Sequence, residues 1–315
     1  MTKQPLPTTH VADVDLRNDT APWLVRSLWP TAAVGLISGP PKVGKTWLCL
    51  DLALSVSSAT PCLGAFQVDQ PGPALLYLAE DSLHSVRDRV EALCRHRGIG
   101  LHQADLHLIT APALKLDRDE DRERLLATVR EIQPRLLLLD PFVRLHSQNE
   151  NDSAAVAAIL ASLRCLQREC DVAVALVHHS RKNGGGGPPG FALRGSSDLY
   201  AWGDAYAYLA RRDNTLRLSL EHRSHPSIEP VHLRLVSRQD GSGAHLELTQ
   251  EPPSTDTARL EDLVLAELAT GQTPLRRTHL RARLKVNNHR LGLALQTLRA
   301  QGRVSDGPAG WSVVR

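Results

Sequence analysis

Residues 36–50 read LISGPPKVGKTWLCL, and this stretch restricts the fold more than any other. Gly39-Pro40-Pro41-Lys42-Val43-Gly44-Lys45-Thr46 meets the pattern G-x-x-x-x-G-K-[ST] at every fixed position. One apolar run leads into it and another leads out through Trp47, so the turn sits between a strand and a helix. The chemistry of a phosphate chain explains the residue types. Glycines let successive backbone N–H groups turn inward toward phosphate oxygens. Lys45 reaches the β and γ phosphates, and the Thr46 hydroxyl ligates Mg²⁺. The start of the helix adds its positive end. Residues 39–47 therefore predict a site for a nucleoside triphosphate and Mg²⁺, against the alternative of a plain Gly-Pro turn.

Around that turn, short apolar runs alternate with amphipathic stretches, which predicts an α/β fold with a mostly parallel sheet. The expected strands are Ala33–Ser38, Ala74–Ala79, Leu106–Thr110, Arg135–Asp140 and Val172–His178. Helices are expected near Thr46–Ser57, Leu83–Arg97, Asp119–Gln133 and Ser153–Cys170, the last with apolar residues at helical spacing. Beyond Tyr200 the runs DAYAYLAR, TLRLSLEHR, VHLRLVS and AHLELT alternate and are broken by turn residues, as antiparallel edge strands would be. Residues 180–195, SRKNGGGGPPGFALRG, fit neither helix nor strand. These patterns divide the chain into a tail (1–20), an α/β domain (21–249), a linker (250–258) and a small domain (259–315). The small domain carries three helix-sized runs, Arg259–Thr270, Leu275–Leu284 and Asn288–Gln301, then two short apolar runs around a turn, a winged-helix-like pattern.

Three strand ends carry candidate partners of the phosphate turn. Arg135-Leu-Leu-Leu-Leu-Asp140 is a buried run ending in a carboxylate, placed to hold Mg²⁺ through water at the edge where α/β sheets bind ligands. ALLYLA runs into Glu80-Asp81, where Glu80 can polarise the attacking water. The alternative is an acidic helix cap, which suits Asp81 better. VAVALVHHS ends in His178 and His179. Adjacent side chains on a strand diverge, so a metal site is less apt than a polar sensor of the γ phosphate, with His179 preferred.

Charge is uneven. The chain carries a formal net charge of +3, yet residues 258–315 hold ten Lys or Arg against four Asp or Glu. That segment is the part suited to a polyanion, or it is simply a solvated basic face. Five cysteines form no CxxC pair; Cys49 and Cys165 lie in apolar helical runs and read as buried thiols of a reduced, cytoplasmic protein. No run of eighteen apolar residues occurs, and the first residues lack a secretion-signal pattern, so no membrane association is expected.

Taken in order, GPPKVGKT, YLAEDS, LLLLDPFVRLH, VHHSRK and RGSSDL resemble the RecA-like AAA-family ATPases typified by plasmid hexameric replicative helicases. The resemblance spans residues 20–240. It implies a RecA-like core, ATP bound between subunits of a hexameric ring, and mobile loops that grip single-stranded or forked DNA. It also implies Lys45 and Thr46 on phosphate and Mg²⁺, Glu80 activating water, Asp140 on the metal, and His179 as sensor. A neighbour's arginine would complete the site, either Arg194 of RGSS or Arg223 of LEHRSH. Arg181 and Lys182 would lie in a DNA-gripping loop, or in an insertion without an aromatic platform. The C-terminal pattern is not needed by a minimal ring of this type. Its Arg276, Arg277, Asn287, Asn288 and Arg290 surround the start of a candidate recognition helix, which suits DNA contact, or alternatively a protein interface. Two functions follow: an ATP-driven helicase or translocase of a plasmid, phage or mobile element, or a non-motor DNA-binding regulator or loader whose assembly ATP switches.

Overall fold

Four consecutive leucines, Leu136–Leu139, show how the sheet is covered. Side chains alternate along a strand, so Leu136 and Leu138 enter one core while Leu137 and Leu139 enter another. Helices must therefore cover both faces. The computed structural model describes residues 6–13, 22–148, 152–180, 197–212, 215–237, 243–249, 255–270, 274–284, 286 and 288–314. Arg181, Lys182, Arg194 and Asn287 lie outside them, as does the side chain of Arg290.

Two compact units divide the chain, Met1–Thr249 and Gln250–Arg315. In the first, a short hairpin of β1 (Trp23–Val25) and β2 (Trp29–Pro30) precedes β3 (Val34–Gly39), α1 (Lys45–Ser58), β4 (Ala74–Leu78) and α2 (Leu83–Arg97). There follow β5 (Leu106–Leu108), α3 (Asp119–Ile132), β6 (Leu136–Asp140), α4 (Ser153–Cys170) and β7 (Ala173–His179). The unit closes with α5 (Ser197–Trp202), β8 (Ala205–Arg212), β9 (Thr215–His222), β10 (Val231–Ser237) and β11 (Ala244–Thr249). Nine strands form one sheet in the order β11-β10-β9-β8-β3-β7-β6-β4-β5. One core joins Leu48, Leu52 and Val56 of α1 with Val86, Val90 and Leu93 of α2. The opposite core joins Leu125 and Val129 of α3 with Val156, Ile159, Leu160 and Leu163 of α4. The result is a mostly parallel sheet between two helical layers, the RecA-like core.

The strands and helices expected in the first unit are present, with ends displaced by at most two residues. Three expectations change. DAYAYLAR is not antiparallel to its inner neighbour: β8 runs parallel to β3, Gly35 opposite Ala205, and the direction reverses only at β9. The chain enters β8 after α5 at the same end as it enters β3, so the pair must run together. Cys165 is exposed, unlike Cys49. It stands two positions past Leu163, about 200° around α4 from the buried stripe. The expected linker also ends early, because α6 (Thr255–Thr270) takes in residues 255–258.

The second unit is α6, α7 (Arg277–Leu284), α8 (Asn288–Ala300) and the hairpin β12 (Val304–Gly307) with β13 (Gly310–Val313). Leu260, Val264 and Leu268 of α6 meet Leu280, Leu291, Leu295 and Leu298 in its core. The helix expected from Leu275 begins at Arg277, because Leu275 exchanges both backbone hydrogen bonds with Trp311 at 2.9 Å.

Candidate active site

The phosphate turn joins the end of β3 to the start of α1. Gly39 must be glycine: a Cβ there would lie 2.2 Å from the Leu209 carbonyl oxygen of β8. Lys42 and Gly44 both have positive φ, 62° and 102°, which folds the backbone into a concave turn. Gly44 precedes α1 and supplies no side-chain cap, so the positive end of the helix opens into the turn.

Lys45 is 5% exposed and bends back over the turn. Its ammonium donates to the carbonyls of Gly39 at 3.0 Å and Pro40 at 2.9 Å. Burial lowers its pKa, while the charges of Asp140 and Glu80 act in the opposite sense. Asp140 ends β6 and is 7% exposed. The Thr46 hydroxyl donates to its carboxylate at 3.2 Å. Burial pushes the Asp140 carboxyl up to about 6, against the pull of the Thr46 hydrogen bond and the Lys45 charge. Two oxygens at this spacing suit neighbouring positions around Mg²⁺, whose octahedron of 2.0–2.1 Å bonds sets adjacent ligands roughly 2.9 Å apart. Thr46 and Asp140 therefore fit the ion, directly or with one bridging water.

Glu80 leaves the sheet two residues after β4, next to Ala79, whose N–H donates to the Asp140 carbonyl at 2.8 Å. Its Oε1 accepts from Arg144 Nε at 2.9 Å. Asp81 does not cap α2, as its side chain pairs with Arg89 at 2.9 Å. Ser82 caps instead, accepting from the Ser85 N–H at 3.2 Å. His178 and His179 end β7 opposite Ser38 and Gly39 of β3. Burial holds His178 down to about 4, helped by its neighbours His179 and Lys45. His179 is lowered too, first by burial and then by Lys45.

These side chains converge. Lys42, Gly44, Lys45, Thr46, Trp47, Glu80, Asp140 and His179 line one cleft of about 430 Å³. It lies at the carboxyl ends of adjacent parallel strands, the edge where such sheets bind ligands. Arg89, Arg211 and Leu235 also line it and were not apparent in the sequence. Arg89 stacks over Trp47 at 5.7 Å from the ring centroid. Arg211 and Leu235 come from β8 and β10 and reach the cleft only through the sheet order, which no local signal encodes.

Arg223 is not in this cleft. It follows β9, pairs with Asp204 at 3.2 Å and donates to the Ala201 carbonyl. Asp204 precedes β8 at the end where β3 begins, so Arg223 stands a strand length, roughly 20 Å, from the phosphate turn. In the second unit Arg276 and Asn288 are exposed. Arg277 is tied down, donating to the Asn288 carbonyl at 2.6 Å. Elsewhere in the first unit, His96, His245 and Glu247 bring three potential metal-ligand atoms within 4.8 Å of one another. The two imidazoles stack, centroids 3.5 Å apart and planes 20° from parallel. Their in-plane lone pairs run side by side and do not converge on an ion.

A family model described as an AAA domain matches residues 2–185. Among solved structures, a DnaB-like replicative helicase superposes with a TM-score of 0.51 at 15% identity, covering 68% of this chain. The chain spans only 57% of that helicase. The RadB recombinase superposes with a TM-score of 0.50 at 16% identity, over 70% of this chain and 92% of the recombinase. At these identities the likeness is one of fold. No helix among the described residues is long and apolar enough to cross a membrane.

Proposed function

We propose that this chain, which belongs to the AAA domain family, hydrolyses ATP with Mg²⁺ in a site completed by a neighbouring copy, and uses the cycle to move along DNA. The observation that carries this reading is the meeting of Lys45, Thr46, Glu80, Asp140 and His179 in one cleft from four separate segments.

In this reading the triphosphate lies across the start of α1, and its oxygens replace the Gly39 and Pro40 carbonyls as partners of Lys45. Thr46 and Asp140 would hold Mg²⁺, which would supply neutralisation of charge on the triphosphate. Glu80 orients the attacking water and accepts its proton. His179 stays neutral beside Lys45 and offers a ring nitrogen to the γ phosphate, one residue before the chain leaves the sheet. A cation from a neighbour would neutralise charge developing in the transition state. Arg223, half-exposed and a strand length from its own cleft, suits a role in trans; Arg194 is its rival. Self-association into a ring, a hexamer by resemblance, follows from that arrangement. Arg181 and Lys182 are the proposed grip on single-stranded or forked DNA.

The second unit favours a second reading. Its three helices, hairpin and basic balance support a winged-helix-like reading, in which the exposed Arg276 and Asn288 would contact DNA, with Arg290 a further candidate from the sequence. A regulator or loader switched by ATP could carry such a unit. Measuring ATP turnover with and without single-stranded DNA, beside the mass of the assembly in ATP, separates the two. A motor gives a ring, DNA-stimulated turnover and unwinding of a fork. Turnover indifferent to DNA, with no unwinding, removes the motor reading.

A further inference from the structure

Arg144 stands outside the cleft yet holds the side chain of its general base. We propose that Arg144 is a positioning residue for hydrolysis, fixing the Glu80 carboxylate by one oxygen so that the other is presented to water. The inference rests on the reading of Glu80 as base.

Three features carry it. Glu80 is half exposed and has three rotatable side-chain bonds, so an unrestrained carboxylate would spend much of its time away from the cleft. Arg144 Nε donates to its Oε1 at 2.9 Å, and a carboxylate so engaged keeps Oε2 as a free acceptor. Glu80 lines the cleft and Arg144 does not, so the guanidinium pulls from outside and leaves the inner side open.

The segment that carries Arg144 is itself anchored. A short 3-10 turn spans Phe142–Arg144 directly after β6. Phe142 and Leu145, three apart and so on one side of such a turn, are both fully buried, which directs Arg144 outward. The Lys115 ammonium donates to the carbonyls of Arg144 at 2.9 Å and His146 at 3.0 Å. The Leu116 N–H donates to the Leu145 carbonyl at 2.6 Å. Asp117 accepts from the Ser147 N–H at 3.1 Å. The base is thus steadied by the chain that leaves Asp140, and metal ligand and base are held by one segment.

Steady-state ATP hydrolysis in Mg²⁺ by the full chain tests this, using Arg144→Ala, Arg144→Lys, Glu80→Gln and the Glu80→Gln/Arg144→Ala pair. Arg144→Ala should lower kcat about fivefold, the rate equivalent of about 1 kcal/mol and the upper range for an exposed ion pair. KM for ATP and the melting temperature should hold, and Arg144→Lys should recover most of the loss. In the Glu80→Gln background, single-turnover rates should not respond to Arg144→Ala, since the carboxylate it serves is gone. An equal loss in that background, or unchanged kcat in Arg144→Ala, overturns the proposal while leaving Glu80 as base. Wild-type turnover in Glu80→Gln instead removes the base assignment itself. If Arg144→Ala is poorly folded, Arg144→Met, which keeps the aliphatic stem and removes the donor, gives the same comparison in both backgrounds.

Discussion

Replacing Asp140 with asparagine separates what the buried carboxylate costs the fold from what it does for the reaction. Without Mg²⁺ or nucleotide, burial raises this carboxyl from 3.8 to about 6. A carboxyl whose folded pKa exceeds its unfolded value holds its proton more tightly in the native state. Stability therefore falls as pH rises from about 4 to about 6 and stays lower above. At about 1.4 kcal/mol for each tenfold step, the ionised form costs the fold about 3 kcal/mol. His178 works in the opposite direction, because burial lowers its imidazole from 6.5 to about 4. Its contribution is lost as pH falls through that window. The two groups offset each other in the wild type, so only a comparison of variants isolates Asp140. Urea denaturation in EDTA should find Asp140→Asn no more stable than wild type at pH 4, and about 3 kcal/mol more stable at pH 7.5. Hydrolysis should be lost in the same variant. Equal or lower stability than wild type at pH 7.5 would refute this account of the site.

Other expected outcomes concern the turn, the shared site and the thiols. Gly39→Ala puts a methyl 2.2 Å from the Leu209 carbonyl; chemical denaturation should find a loss of about 3 kcal/mol, the upper range for overpacking, and no loss would mean the turn and β8 are not in contact. Lys45→Ala should abolish turnover and leave the circular dichroism spectrum unchanged. Mixing Lys45→Ala subunits with Arg223→Ala subunits should restore part of the activity, and rescue with Arg194→Ala in its place would move the trans role there. Cys165 is exposed, whereas Cys49 is fully buried and its thiol pushed well above the ordinary range. A thiol reagent should therefore label Cys165 in the native protein and reach Cys49 only on unfolding.

Local pattern was enough for much of this protein. The octet Gly39–Thr46 is legible because phosphate binding needs a contiguous turn, and Asp140 because a buried strand must end in a polar group at the ligand edge. Period-two and period-3.6 spacing revealed the strands and helices, since each depends on neighbours within a turn or two. The exposure of Cys165 departs from expectation because apolar neighbours in sequence do not fix the angle at which a side chain leaves α4. Tertiary structure alone decided the rest. The parallel β3–β8 pair, the entry of Arg211 and Leu235 into the cleft, and the hold of Arg144 on Glu80 all depend on strand order, while Arg89 enters because α2 lies against Trp47 of α1. Arg144 and Glu80 are 64 positions apart. Such contacts arise where crossovers bring distant segments to one sheet edge, and hydrophobic periodicity carries no record of which strand lies beside which.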